Sequence, residues 1–139
     1  MGQAHRFHPT VLREYDIRGI VGETLGPDDA RAIRRAYGTM LVERGGSRVC
    51  VGRGGRLSSP ELALALTEGL VETGLTVQSV GLGPTPMLYF AVHHLEADGG
   101  IQVTGSHYPP THNGFKMMLG KGSLYGDAIP RLGALAASG

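Results

Sequence analysis

Three side chains that can take part in chemistry lie in the stretch from Val103 to Lys116. Ser106 contributes a hydroxyl, His107 an imidazole and Lys116 an ammonium group. A serine is a poor nucleophile until a base takes its proton. The side chains of sequence neighbours such as Ser106 and His107 rarely face each other, so a direct proton transfer from Ser106 to His107 is not favoured. A serine that carries a phosphoryl group fits better, because a nearby cation such as Lys116 holds the added negative charge. A Ser-His pair taken alone is more often a surface loop without chemistry, so the pair needs further support.

The residues around Ser106 predict a rigid loop between two strands. Residues 101–103 alternate in polarity and read as the end of a short strand, with Gln102 as the polar member. Pro109-Pro110 prevents a helix, and Asn113-Gly114 is typical of a tight turn because both residues tolerate positive φ. Residues 115–119 then return as an apolar strand that carries Lys116.

Upstream of this loop, apolar segments alternate between a strand period and a helix period. The sequence predicts helices that begin near Pro27, Ser59 and Thr85, and a fourth helix over residues 126–137. The alternation predicts an α/β fold, a three-layer α/β/α sandwich with a mixed, mostly parallel sheet. The strands on either side of Ser106 are expected to add an antiparallel edge, and the functional loops to gather at the carboxyl ends of the strands.

The first predicted helix has one apolar face, which is expected to be buried. That face consists of Ile33, Ala36, Tyr37, Met40 and Leu41. The arginines of the same helix fall mostly off the face and are predicted to be solvated: Arg31, Arg34 and Arg35.

Size and composition limit the class of protein. The 139 residues predict one domain, residues 1–139, with a core of its own. A net charge of +1 gives no strong field for nucleic acid or membranes, so neither partner is expected. The single cysteine, Cys50, excludes a disulfide framework and favours a reducing, cytoplasmic compartment. We expect no membrane span and no signal peptide.

Four motifs, in order, resemble those of the α-D-phosphohexomutases, the phosphomannomutase/phosphoglucomutase family. Residues 104–116 read Thr-Gly-Ser-His-x-Pro-Pro-x-x-Asn-Gly-Phe-Lys and resemble the phosphoserine loop of that family. Residues 14–22 resemble its N-terminal active-site segment, and residues 52–60 and 81–86 resemble its first two strand-to-helix loops. The resemblance covers about residues 7–132 and is specific because four motifs agree.

The resemblance implies an enzyme that moves a phosphoryl group between the 1- and 6-positions of a hexose phosphate. Ser106 is then the phosphoserine, and a bisphosphorylated sugar forms between the two transfers. Lys116 and Arg18 stabilise the transferring group, His107 acts as an acid/base or orienting residue, and Tyr15 and Arg18 form a wall on the substrate side. The resemblance also implies Mg²⁺ on the phosphorylated Ser106, further metal ligands from a downstream domain, and hexose 1,6-bisphosphate as activator.

The sequence departs from the family pattern at two positions. Tyr108 replaces the usual asparagine after Ser-His, and Gly54 replaces an acidic residue. The metal loop, sugar-reading loop and distal phosphate-binding loop of the family do not occur in these residues. We therefore expect the N-terminal domain of a longer enzyme, partnered by the remaining domains. Alone it is expected to be inactive and to self-associate through an apolar face.

Two other classes of function stay open on the sequence. A non-catalytic phosphosugar-binding or interaction module that keeps the fold is the main alternative. A serine hydrolase is more distant, because no acid completes a triad with Ser106 and His107 and no Gly-x-Ser-x-Gly elbow is present.

Overall fold

The computed structural model describes Phe7 and residues 17–54, 59–83, 85–104, 112–120, 122–123 and 128–138. Within these ranges the chain forms six strands and four helices. Their order is β1 Ile17–Ile20, α1 Pro27–Glu43, β2 Arg48–Arg53, α2 Ser59–Glu72, β3 Thr76–Leu82, α3 Thr85–His94, β4 Gly99–Val103, β5 His112–Leu119, β6 Gly122–Ser123 and α4 Ala128–Ser138. The predicted helix starts at Pro27, Ser59 and Thr85 are confirmed.

All six of these strands belong to one mixed sheet. Its order is β1-β5-β4-β2-β3, and β6 pairs with β5. Strand β2 is parallel to β3 and β4, whereas β5 is antiparallel to β1, β4 and β6, so β5 runs against the other strands of this sheet. The prediction of a mixed, mostly parallel sheet is confirmed. The expected antiparallel edge is wrong in its position: β1 pairs with the outer side of β5, which makes β5 an internal strand.

Helices cover both faces of the sheet and create two apolar clusters. The larger cluster joins α1, α2 and α4 to side chains such as Val49, Val51 and Phe115. The smaller cluster joins α3 to Cys50 and Met118 on the opposite face. Successive residues of a strand point to opposite faces, which is why Cys50 faces away from its two valine neighbours. The three-layer sandwich is confirmed, and burial raises the pKa of the Cys50 thiol, as expected for a core cysteine.

The predicted apolar face of α1 is buried at all five positions. Its arginines follow the prediction in part: Arg31 is exposed as predicted, whereas Arg34 and Arg35 are half-buried. Arg34 is not solvated: its guanidinium donates to the Gly69 carbonyl at 3.2 Å and pairs with Glu72 at 2.6 Å. A Cβ at Gly69 would overlap this arginine side chain. Because Gly69 leaves that space, the Arg34 guanidinium lies between helices α1 and α2. The helical spacing within α1 alone had predicted that Arg34 is solvated.

The Asn113-Gly114 pair does not form the predicted turn. Both residues lie inside β5, where they face Gly19 and Arg18 of β1. Asn113 is fully buried, and its Oδ1 accepts a hydrogen bond from the Gly114 N–H at 2.9 Å. Pairing with β1 gives this backbone its hydrogen-bond partners, so tertiary contacts override the local turn propensity.

Two polar groups tie the other end of the sheet together. The Asp98 carboxylate accepts hydrogen bonds from the N–H groups of Ser47 and Arg48 at 2.8 and 2.9 Å, which lowers the pKa of Asp98. The Tyr37 hydroxyl donates to the Met118 carbonyl, and burial raises the pKa of the Tyr37 phenol. These contacts hold strand ends that lie away from the predicted functional edge.

Substitution of Tyr37 by phenylalanine is expected to lower the free energy of unfolding by about 1 kcal/mol, because the buried Met118 carbonyl loses a donor. Urea denaturation followed by circular dichroism measures the loss. Tyr89→Phe is the matched control, since Tyr89 is only partly buried and its change is expected to stay within about 0.5 kcal/mol. Equal stability of the two variants would contradict the assigned role of the Tyr37 hydroxyl.

Candidate functional site

The carboxyl ends of β2, β3 and β4 lie side by side at one end of the sheet. We use edge for this end of the sheet and not for an outer strand. Gly52 lies across from Gly81 on one side and Gln102 on the other. One residue further on, Arg53 lies across from Val103 in the same manner. The segments that carry the predicted functional loops therefore leave the sheet side by side, as expected for a parallel α/β arrangement.

Backbone hydrogen bonds join these strand exits to each other. The Gly83 N–H, after β3, donates to the Arg53 carbonyl of β2 at 3.0 Å. The Gly54 N–H, after β2, donates to the Val103 carbonyl of β4 at 2.7 Å. Each exit is thus held by its neighbour before the chain enters residues 55–58, 84 and 105–111, which lie outside the described residues.

Strands β4, β5 and β1 bring the two predicted cationic positions to the same edge. The Thr104 N–H donates to the Gly114 carbonyl at 2.9 Å, so β4 and β5 stay paired up to the predicted loop. Lys116 lies directly across from Gln102 of β4. The backbone of Arg18 lies across from Gly114, two residues along β5 from Lys116. The register therefore places Arg18 and Lys116 near each other along the strands.

The predicted site residues differ in what the structure describes of them. Lys116 is half-buried, and it takes part in no ion pair within the described ranges. Arg18 is described by its backbone alone. Ser106, His107 and Tyr15 lie outside the described residues, and their assigned roles stay predictions.

Sequence reasoning missed Gln102. It assigned Gln102 no role beyond that of the polar member of a strand end, but all five residues of β4 are buried and Gln102 is fully buried. Its Nε2 donates to the Gly83 carbonyl at 2.8 Å. Its Oε1 has no hydrogen-bond partner in the described part of the chain. The signal in the sequence that could have indicated its importance was a polar residue between two apolar ones in the strand that leads to Ser106.

A cleft of about 330 Å³ lies between α2 and the ends of β2 and β3. Its lining is Val51, Gly52, Arg53, Ala63, Leu64, Thr67, Ser79 and Gly81. Arg53 is the ionisable residue of this lining, and most of the others are apolar or small. The cationic positions lie on β1 and β5, which β4 separates from β2 and β3 in the sheet. This cleft is therefore separate from them.

Metal-ligating side chains do not cluster in the described ranges: no group of three or more His, Cys, Asp or Glu residues is placed to hold an ion there. Among those same residues, no helix is long and apolar enough to cross a membrane. What the edge does offer is cationic positions beside glycine-rich strand exits, a combination that suits a small anion.

Comparison with known proteins agrees with this arrangement. Residues 9–131 match the family model described as phosphoglucomutase/phosphomannomutase, alpha/beta/alpha domain I. The chain is 49% identical over 125 residues to a phosphoglucomutase of Neisseria gonorrhoeae and 47% identical over 123 residues to a phosphomannomutase/phosphoglucomutase of Pseudomonas aeruginosa. These matches cover 90% and 88% of the chain and 27% of each relative.

A solved structure leads to the same family. The crystal structure of a phosphoglucomutase/phosphomannomutase family protein from Burkholderia thailandensis superimposes with a TM-score of 0.89 at 44% identity. The match covers 95% of this chain and 31% of that protein. The chain thus spans about a quarter to a third of the length of these relatives. It belongs to the phosphoglucomutase/phosphomannomutase family, and the part it matches is the α/β/α domain I.

Proposed function

We propose that this chain is the phosphoserine-bearing domain of an enzyme that interconverts hexose 1-phosphate and hexose 6-phosphate. The observation that carries the proposal is the meeting of Lys116, the Arg18 position and three strand exits at one sheet edge. One of these exits leads within two residues of Thr104 to Ser106, so the covalent chain ties the serine to this edge. The names of the relatives support the same chemistry for them.

In the proposed reaction, phosphorylated Ser106 gives its phosphoryl group to a free hydroxyl of the hexose monophosphate. The bond from phosphorus to the serine oxygen breaks and a bond to the sugar oxygen forms. The hydroxyl proton of the sugar passes to a base, for which His107 is the candidate, and the freed serine oxygen takes up a proton. The bisphosphorylated sugar turns over, and its other phosphoryl group returns to Ser106. The cycle regenerates the phosphoserine and has moved the phosphate on the sugar.

Lys116 and Arg18 serve as the charge-stabilising residues of this proposal. Phosphoryl transfer depends chiefly on positioning and on neutralising charge that spreads over the transferring oxygens. Lys116 suits that role because it is half-buried and, in the described part of the chain, has no competing acidic partner. Tyr15, together with Arg18, forms the substrate side of the site in this proposal.

Mg²⁺ belongs to the proposal as a group that neutralises phosphate charge when it is bound. Phosphorylated Ser106 would supply one oxygen ligand, and because the described residues offer no ligand cluster, the other ligands would come from the rest of the enzyme. The rest of the enzyme is accordingly the proposed partner, hexose 1,6-bisphosphate the proposed activator and the cytoplasm the proposed compartment.

A chimera tests the proposed function directly. This chain replaces the matching 27% of the Neisseria gonorrhoeae phosphoglucomutase, and the chain alone serves as the control. We expect the chimera to convert glucose 1-phosphate or mannose 1-phosphate with Mg²⁺ and the bisphosphate, and mass spectrometry to find phosphate on Ser106. A folded chimera without turnover and without phosphoserine would instead favour the non-catalytic phosphosugar-binding module.

A further inference from the structure

Gln102 links two of the strand exits through its side chain. It lies on β4, four residues before Ser106, and its Nε2 donates to the carbonyl of Gly83, just after β3. The other links between these exits are backbone hydrogen bonds from Gly83 to Arg53 and from Gly54 to Val103. Among the described residues, this amide is therefore the side-chain connection between the β3 exit and the strand that leads to the serine.

Apolar packing alone does not account for a glutamine at this position. The Oε1 atom is buried without a partner in the described part of the chain, and a buried unpaired oxygen costs stability. The neighbouring cluster on the same side of the sheet, which includes Cys50, Leu88 and Met118, is apolar. A methionine has a similar length and would remove that cost, but it would also leave the Gly83 carbonyl without its Nε2 donor, so the amide contributes a specific link between the two strand exits.

Gly52 is shaped to accept the Gln102 side chain. A Cβ on Gly52 would overlap Oε1 and would lie 2.9 Å from Cγ2 of Val80. The pairing of β2 with β3 shifts register between Val51 and Gly52, an irregularity of the kind found beside functional sites. The Gln102 amide therefore occupies space that is open only because residue 52 has no side chain. We call this packing of Gln102 against Gly52 the fitted contact.

Lys116 lies on the other flank of Gln102. The two residues are directly opposite in the antiparallel pair of β4 and β5, which places their Cβ atoms about 4.5–5.5 Å apart on one face of the sheet. The Gln102 side chain thus lies between the β3 exit and the lysine stem. We therefore expect a change in its packing to affect both neighbours.

We propose that Gln102 is a positioning residue, which fixes the β3 exit and Lys116 relative to the strand that leads to Ser106. The inference rests on the proposed function, because it assigns Lys116 and Ser106 to phosphoryl transfer. Gln102 acts through these groups, not on the substrate. A loss of the amide should therefore lower kcat while substrate binding and fold stability are kept.

The first experiment replaces Gln102 by methionine in the chimeric enzyme. We expect kcat to fall by about tenfold or more, the scale on which small displacements of reacting groups act, while KM stays within about twofold. The melting temperature should stay close to that of the parent, because the Gly83 carbonyl loses its Nε2 donor while an oxygen without a partner among the described residues is also removed. Gln78→Met is the matched control, since Gln78 is exposed on β3, and it should change none of these quantities.

A second pair of variants tests the fitted contact. Gly52→Ala should lower kcat when Gln102 is present, because the new Cβ displaces the amide. In a Gln102→Ala background the overlap with Oε1 is gone and only the approach to Cγ2 of Val80 remains, so Gly52→Ala should cost less than it does in the parent. Additive losses would overturn the proposed contact, since independent sites add and coupled sites do not.

The outcomes separate this inference from the proposed function. If the chimera is active and Gln102→Met keeps the kcat of the parent, the positioning role is wrong and the proposed function stands. A parallel fall of melting temperature and activity in Gln102→Met would show a merely structural role and would also overturn it. If the chimera itself is inactive, the test is made on the 139-residue chain by NMR. Gln102→Met should shift the signals of Gly83 and Lys116, and Gln78→Met should not. Unchanged signals in Gln102→Met would refute the contact.

Discussion

Replacing Ser106 by alanine in the chimeric enzyme is expected to abolish most turnover. In the proposed reaction the serine oxygen carries the phosphoryl group, and alanine has no atom that can accept it. We expect kcat to fall by about 10³-fold or more, because loss of a covalent carrier exceeds the loss of one electrostatic stabiliser. Coupled assays of glucose 6-phosphate formation measure the rate, and mass spectrometry of the chain should find no phosphorylated serine in this segment.

A matched serine separates chemistry from folding in this experiment. Ser79 is exposed on β3, and Ser79→Ala should keep the activity and the melting temperature of the parent. Ser106→Ala should also keep the melting temperature, because one loop hydroxyl contributes little to the core. If Ser106→Ala retained more than about a tenth of the parental kcat, the phosphate carrier would have to be another residue.

Most of the fold could be predicted from the sequence because its signals are local. Pro27 after Gly26 marks the start of α1, and the Gly26 N–H donates to the Asp29 carboxylate at 2.8 Å, as an acidic first turn allows. The leucines at four-residue steps in α2, Leu62, Leu66 and Leu70, are all buried. Helical periodicity is set within a few residues, so a single sequence is enough to read it.

The errors concern features that depend on residues far apart in the chain. Strand β1 is only four residues long and includes Arg18, so its own pattern is weak, and it is defined by pairing with β5 almost a hundred residues later. Because of that same pairing, Asn113 and Gly114 lie within strand β5 and do not form the predicted turn. Arg34 is held by Gly69 and Glu72 of another helix, which periodicity within α1 cannot show.

The candidate site was predictable in part. The motifs around Ser106 and Lys116 indicated which residues to consider, and the register places Lys116 across from Gln102, near the carboxyl ends of the parallel strands. The burial of Gln102 could not be predicted, because the burial of one polar residue depends on how several neighbouring strands and a loop pack. At Gly54 the structure shows room for a side chain, with the nearest atom, Oγ1 of Thr104, at 3.5 Å from a Cβ built there. Among the described residues, a Cβ at this position therefore meets only ordinary van der Waals contacts.

Replacing Lys116 by methionine is expected to lower kcat of the chimera by about 10²-fold or more, the scale of losing one preorganised charge in an active site. Methionine keeps the length and apolar stem that pack beside Gln102 across β4 and β5, so the half-buried position stays filled. The fold should be kept, because Lys116 forms no ion pair among the described residues whose loss would unfold the strand. Steady-state kinetics with glucose 1-phosphate give kcat and KM separately.

The pattern of the kinetic change decides what the ammonium group does. A stabiliser of the transferring phosphoryl group lowers kcat and kcat/KM together, whereas a group that only holds substrate raises KM at constant kcat. Lys116→Arg keeps the charge but moves it, so it should recover only part of the loss. Lys121→Met is the control because Lys121 is the other lysine of the sequence, and it should leave both constants unchanged. An effect of Lys116→Met confined to KM would place Lys116 in substrate binding and leave the charge stabilisation to Arg18 or to residues of the remaining enzyme.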